Sequence, residues 1–169
     1  SGHIALPEYV RHFKPDATLE ELAMPASLSN IVIQNLLRDK LNFNGVIVTD
    51  ASHMVAMTSA MKRSDMVPTA IAAGCDLFLF FNDPEEDFNW MMEGYKKGII
   101  TEQRLEEALT RILGLKASLG LHKKAKTEIL QPKEEAMAKL RTEENIAVAP
   151  EISDKAITLV KNEQELLPI

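Results

Sequence analysis

Two spacings of apolar residues alternate along this chain, one typical of helices and one of buried strands. Ile33, Leu36, Leu37 and Leu41 fall three and four apart behind Ser29 or Asn30, and predict a helix capped by either polar residue. Asn42 to Gly45 should end it and turn the chain. Val46 to Thr49 is instead an unbroken apolar and β-branched run, the pattern of a strand covered on both faces. A second such run, Cys75 to Phe81, follows "AIAAG", where Gly74 is the expected helix C-cap. The roughly two dozen residues between the runs suffice for a helical crossover joining parallel strands. Asp83 or Pro84 should start a further helix with Phe88, Met91, Met92 and Tyr95 on one face. Thr101 should cap another, carrying Leu105, Ala108, Leu109, Ile112 and Leu115. At the chain start "GHIALP" predicts a short strand around His3 to Leu6 stopped by Pro7, then a polar loop reaching Met24. Past Leu121 the sequence turns charged and is interrupted by Pro132, as a linker would be. Ile146, Ala149, Ile152, Ala156 and Leu159 then predict a helix, or a helix followed by a strand. Strands alternating with helices mean an α/β layer architecture with a parallel sheet.

Composition narrows the function classes. The 169 residues, 46% apolar, can fill one ordinary core. The net charge of −6 comes from interspersed signs with no basic stripe, which argues against a nucleic-acid partner. The single cysteine, Cys75, lies in "AGCDLFLFF" and reads as a small buried hydrophobe, so no metal site is expected on cysteine and no cofactor is called for. No apolar run approaches the roughly 20 residues of a membrane span, and the N-terminus lacks the order of a signal peptide. Ser1 in place of an initiator Met and an ending on "ELLPI" in mid-pattern are expected of a fragment, leaving cytoplasmic and secreted or periplasmic settings both open.

Candidate chemistry centres on Asp50, which ends the run "GVIVTD". In parallel α/β folds functional residues collect where strands end at their carboxyl edge. Three readings of the residue are open. It can be the N-cap of a helix over "ASHMVAMTSAM", a phosphoacceptor or magnesium ligand, or a catalytic carboxylate. No second acidic residue adjoins it, which weighs against the metal reading. The Met54, Met57, Met61 stripe has helical spacing and reads as core packing. His12 and His122 sit in polar surroundings and carry no role.

The wider order of motifs decides more than the local residues. "PASLS", an amphipathic helix containing "LLRDKLNFNG", "VIVTDASHM", "AIAAGCDLFLF" and "RILGLKASLGL" follow one another, and "SDKAITLVKNEQELLPI" comes after them. This series resembles the family 3 glycoside hydrolases across nearly the whole chain. The resemblance implies that Asp50 is the nucleophile of a retaining glycosidase, which needs an ionised carboxylate facing a proton-transfer group, about 5–5.5 Å away when that group is a carboxyl. Met54 occupies the place usual for the β-N-acetylglucosaminidase branch, and Ala51 stands where β-glucosidase-type members commonly have Trp. His3 and Met54 are thus implied as substrate-binding residues, with a structural histidine the competing reading of His3. His53 reads as a solvent-facing helix residue.

The resemblance also implies an architecture. A complete (β/α)8 TIM-type barrel needs eight strands in about 250 residues. Three are expected here, around His3 to Leu6, Val46 to Thr49 and Asp76 to Phe81. The chain is accordingly expected to hold the C-terminal part of a glycosidase barrel over 1–122, a linker over 123–142 and the start of a second, αβα sandwich-like domain over 143–169. The branch's proton donor, an Asp-His pair, and its Lys-His sugar motif are not among these residues, so the segment alone is expected to be inactive. The expected partner is an N-acetylglucosamine glycoside, with the rest of the barrel or a second copy covering the free sheet edges. A β-glucosidase or β-xylosidase, or a non-catalytic carbohydrate-binding module, are the alternatives.

Overall fold

The computed structural model describes residues 1–130 and 132–163. It divides into two units, residues 1–120 and residues 121 onward.

The first unit is a mainly helical α/β layer. Its strands β1 (Val48–Ala51) and β2 (Leu77–Leu79) pair in parallel. The crossover between them runs through the single turn α3 (Val55–Thr58) and the helix α4 (Arg63–Ala73). Gly74 ends α4 at φ +125°, where a Cβ would strike the Ile33 side chain, so glycine is required there for both shape and space. Past β2, Asp83 caps α5 (Pro84–Lys96) by accepting from the Glu85 and Glu86 N–H groups at 2.9 Å each. Thr101 caps α6 (Glu102–Ser118) by accepting from Arg104 N at 3.1 Å. Both caps stand where the sequence predicts them.

The amino-terminal third departs from expectation. In place of a strand at His3 to Leu6 the backbone makes one isolated antiparallel bridge, Ala5 to Pro25. Pro7 does not merely stop a strand but opens the helix α1 (Pro7–Phe13), its fixed φ being suited to a first helical position. The predicted loop contains a second helix, α2 (Leu19–Leu22), held by a capping box between Thr18 and Glu21. Val10 and Leu22 from these helices bury against Val32. Beside β1, the Ser1 nitrogen donates to Val48 O at 2.6 Å and Asp50 N donates to Ser1 O at 2.9 Å.

The helix predicted behind Asn30 forms over Ile31–Lys40, but as a π-helix, and Leu41 N bonds Leu36 O five residues back. Asn42 turns the chain at φ 52°. Ile33 from this helix, Ile47 and Cys75 form one core cluster, while Leu28, Met57, Met66 and Ala70 form another. The methionine stripe splits accordingly. Met57 is fully buried and Met61 packs on the same cluster, whereas Met54 lies before α3 and is exposed. Helices α4 and α5 approach closely at Gly94, where a Cβ would overlap the Pro68 ring.

The second unit carries α7 (Lys126–Ile129), α8 (Lys133–Ala138) and α9 (Glu143–Ala156), the last capped by Thr142. None of the three helices buries a residue. The segment read as a linker thus holds short helices, and Ile157 to Glu163 form no strand among the described residues. The expected second-domain start extends to 164–169, which lie outside the described residues.

Candidate functional site

Asp50 lies inside β1, at the carboxyl edge of the parallel pair. The helix-cap reading of this residue is overturned, because the next helix begins only at Val55 and has Met54 at its N-cap position. The predicted helix over Ala51 to Met61 shrinks to that one turn, with Ala51 still in the strand and Ser52 to Met54 in a bend.

An irregular register sets the aim of Asp50. Val48 pairs with Leu77 and Ala51 with Leu79, so β1 advances three residues while β2 advances two. A bulge of this kind bends the strand and redirects a side chain. The Thr49 hydroxyl fills the gap in the ladder, accepting from Leu79 N at 2.8 Å and donating to Leu79 O at 3.1 Å. Thr49 is buried and Asp50 exposed, its Oδ1 accepting from Ala51 N at 2.7 Å. The site therefore offers a carboxylate on a rigid backbone, facing outward. Such a group can act as a nucleophile or a base, and no group of three or more metal-ligating side chains is found among the described residues.

His3 is 7% exposed and stands behind the strand. Its Nε2 donates to Ala51 O at 3.1 Å and its Nδ1 meets the Ser27 hydroxyl at 2.6 Å. Since a carbonyl can only accept, Nε2 carries a proton. Both ring nitrogens are engaged within the protein, as the structural reading of His3 expects, and neither is left over to reach outward. His3 ties the residue after Asp50 to the turn Ala26–Leu28. Ser27, fully buried, is its partner, and a serine in "PASLS" carries no signal of that role in the sequence.

Met54 is 42% exposed on the same open edge. His53 is exposed too, but sits in the bend and not on a helix, with its ring stacked on Phe80 at 6.5 Å between centroids. The carboxyl edge thus presents Asp50, His53, Met54 and Phe80 from two adjacent strand ends.

The amino edge of the sheet is built differently. Asp76, fully buried just before β2, accepts from Arg38 Nη2 at 2.8 Å and Ile47 N at 2.9 Å through Oδ2. Its Oδ1 accepts from Arg104 Nη2 and, at 3.3 Å, from Arg111 Nη1. Burial, with Arg111 adding to it, pushes the Arg38 guanidinium below its ordinary value, against the pull of Asp76. Burial also pushes the Cys75 thiol up to about 11, in keeping with its reading as a hydrophobe. This edge holds structure together, whereas the carboxyl edge leaves the side chains of Asp50, His53 and Met54 exposed.

The glycosyl hydrolase family 3 N-terminal domain model matches residues 2–115. A Cellulomonas fimi protein named β-N-acetylglucosaminidase/β-glucosidase is 44% identical over 168 residues, which are 99% of this chain and 29% of that relative. Among solved structures, a β-glucoside phosphorylase superposes over 100% of this chain and 30% of its own, with a TM-score of 0.83 and 41% identity. A family 3 β-N-acetylglucosaminidase from a Paenibacillus matches 83% of this chain and 26% of its own, at a TM-score of 0.62 and 31% identity. The chain thus spans about three-tenths of the length of the first of these relatives.

Proposed function

The chain belongs to glycoside hydrolase family 3, and from that membership we propose that it supplies the nucleophile segment of a retaining β-N-acetylglucosaminidase, with Asp50 as the nucleophile. One observation carries this reading. An exposed carboxylate stands on a bulged strand at the carboxyl edge of a parallel pair, inside the region that matches the family. The two strands and their crossover are part of a (β/α)8 barrel whose remainder closes the free sheet edges.

In the first step an Asp50 oxygen attacks the anomeric carbon of a terminal N-acetylglucosamine, and the bond from that carbon to the leaving oxygen breaks. A proton donor contributed from outside residues 1–169 protonates the leaving oxygen, a contribution of about 10²–10⁴-fold. Water then attacks the same carbon of the glycosyl-Asp50 ester while passing a proton back to the external donor, which frees the sugar with its β configuration and restores both the carboxylate and the donor. Met54 contacts the sugar from the open edge, and Ala51 leaves free the space that an aromatic side chain would fill.

In the full-length enzyme that carries this segment, Asp50→Asn is expected to lower turnover of an aryl β-N-acetylglucosaminide by at least about 10³-fold without unfolding it. An activated 5-fluoro glycosyl donor should attach to Asp50, as read by peptide mass spectrometry. Attachment to another residue would overturn the assignment. Preference for the aryl glucoside or xyloside would overturn the substrate class. Residues 1–169 alone should be inactive, and turnover comparable to the full-length enzyme would refute the external proton donor.

The similarity to a β-glucoside phosphorylase favours a second reading of the final step. An inorganic phosphate oxygen would attack the glycosyl-Asp50 ester in place of water, giving a sugar 1-phosphate. Phosphorus NMR of the reaction run with and without phosphate separates the two acceptors.

A further inference from the structure

We propose that Arg63, with Asp87 and Ser52, is a positioning unit for Asp50, an inference that rests on the nucleophile reading above. Ser52 lies two residues beyond Asp50 and is fully buried. Its N–H donates to Leu79 O at 2.7 Å, and its hydroxyl donates to Phe80 O. The same hydroxyl accepts from Arg63 Nη1 at 3.0 Å. The other side of the Arg63 guanidinium forks onto Asp87, with Nε to Oδ1 at 2.9 Å and Nη2 to Oδ2 at 2.5 Å. Asp87 Oδ2 also accepts from Asn82 N at 3.3 Å, and the guanidinium lies 5.6 Å from the Phe78 ring centroid. One cation therefore joins the bend after β1, the loop after β2 and the first turns of α4 and α5.

Charge placement separates this unit from an ordinary surface pair. Arg63 opens α4, where the helix dipole disfavours a cation, and its side chain is only 16% exposed. Asp87, in the first turn of α5, is on the favoured end and 5% exposed. A lysine could supply the charge but not the fork, which fixes direction as well as distance. With His3 holding the Ala51 carbonyl and Leu79 O accepting from Ser52 N, the peptide that joins Ala51 to Ser52 is tied at both of its polar groups. A nucleophile held this way keeps its aim when the sugar arrives, and misplacement by about 1 Å costs about 10²-fold in rate.

The test uses the full-length enzyme that carries this segment, with Ser52→Ala, Arg63→Lys and Arg63→Met. Each is measured for kcat, KM, thermal midpoint and the rate at which the 5-fluoro donor labels Asp50. Ser52→Ala removes one oxygen from a site that alanine fits, so it keeps the fold even if Arg63→Met does not. The expected result is a kcat and labelling rate lower by about 10- to 100-fold, KM nearly unchanged, and a protein still folded at the assay temperature. Arg63→Lys should recover little of the loss. Labelling of Asp50 at the parent rate in Ser52→Ala and Arg63→Lys would overturn the positioning role and leave the nucleophile assignment intact. Losses that only track the folded fraction would do the same. A parent enzyme labelled somewhere other than Asp50 would overturn both.

Discussion

Replacing Asp76 by Asn tests the account of the amino edge most sharply. The carboxylate is fully buried and meets Arg38, Arg104 and Arg111, whose side chains are 7%, 7% and 19% exposed. Its two oxygens together serve those three guanidiniums and the Ile47 N–H. An Asn side chain keeps one oxygen and can still serve one side, either Arg38 with Ile47 or Arg104 with Arg111. Its NH2 group must then face the donors on the other. Two hydrogen bonds to the charged group are lost, at about 1.5–3 kcal/mol each, or about 3–6 kcal/mol. Breaking a buried ion pair from one side gives a similar figure of about 3–5 kcal/mol. Against the roughly 5–15 kcal/mol of a whole domain, that is a large share. Urea unfolding followed by Trp90 fluorescence and far-ultraviolet circular dichroism should show the midpoint falling by about 1–3 M at unchanged slope. The converse variant, Arg111→Met, removes the most distant and most exposed of three cations on one carboxylate and should cost less than about 1 kcal/mol. An Asp76→Asn loss below about 1 kcal/mol, or an Arg111→Met loss as large as that of Asp76→Asn, would refute the argument that this carboxylate is the hub.

Cys75 should resist thiol reagents at pH 8 until the protein unfolds, as stopped-flow labelling with an aromatic disulfide would read. Its thiol is raised from 9.0 to about 11 in the fold, so the folded state binds the proton more tightly than the unfolded one. Stability is therefore unaffected below about pH 9 and falls as pH rises toward 11, by roughly 2–3 kcal/mol, a loss that Cys75→Ser should abolish in pH-dependent urea titrations. Gly94→Ala places a methyl against Pro68 and should destabilise by about 1–3 kcal/mol, measured as a lower thermal midpoint. Thr101→Ala, which strips the α6 cap, should cost about 1 kcal/mol in the same measurement, whereas Thr101→Ser should cost little.

Much of the second half of the first unit was legible because its signals are local. Asp83 and Thr101 cap through their own side chains, and Gly74 must end α4 because only glycine takes its φ without strain. The α/β class followed from the two apolar runs and the length between them, although the strands occupy Val48–Ala51 and Leu77–Leu79, a little inside or beyond those runs. The amino-terminal third is not legible in the sequence, for two reasons. Apolar residues in "GHIALP" look alike whether they pair in a ladder or fold over a turn, and the Thr18 to Glu21 box is too short to stand out without Leu22 finding Val10 and Val32. Nothing in the sequence pairs Arg63 with Asp87, because they lie 24 residues apart.

At the site the division is cleaner. The sequence by itself determined that a carboxylate, Asp50, would stand at the end of a strand in a family 3 glycoside hydrolase, because the apolar run and motif order are properties of the chain. Only the tertiary structure decided how that carboxylate is held. The bulge between Val48 and Ala51, the Thr49 hydroxyl in the ladder and the two nitrogens of His3 depend on Leu79, Ser27 and Ala51 meeting in space. No periodicity records such meetings, because hydrogen bonds between residues far apart in sequence form only once the core has brought their elements together.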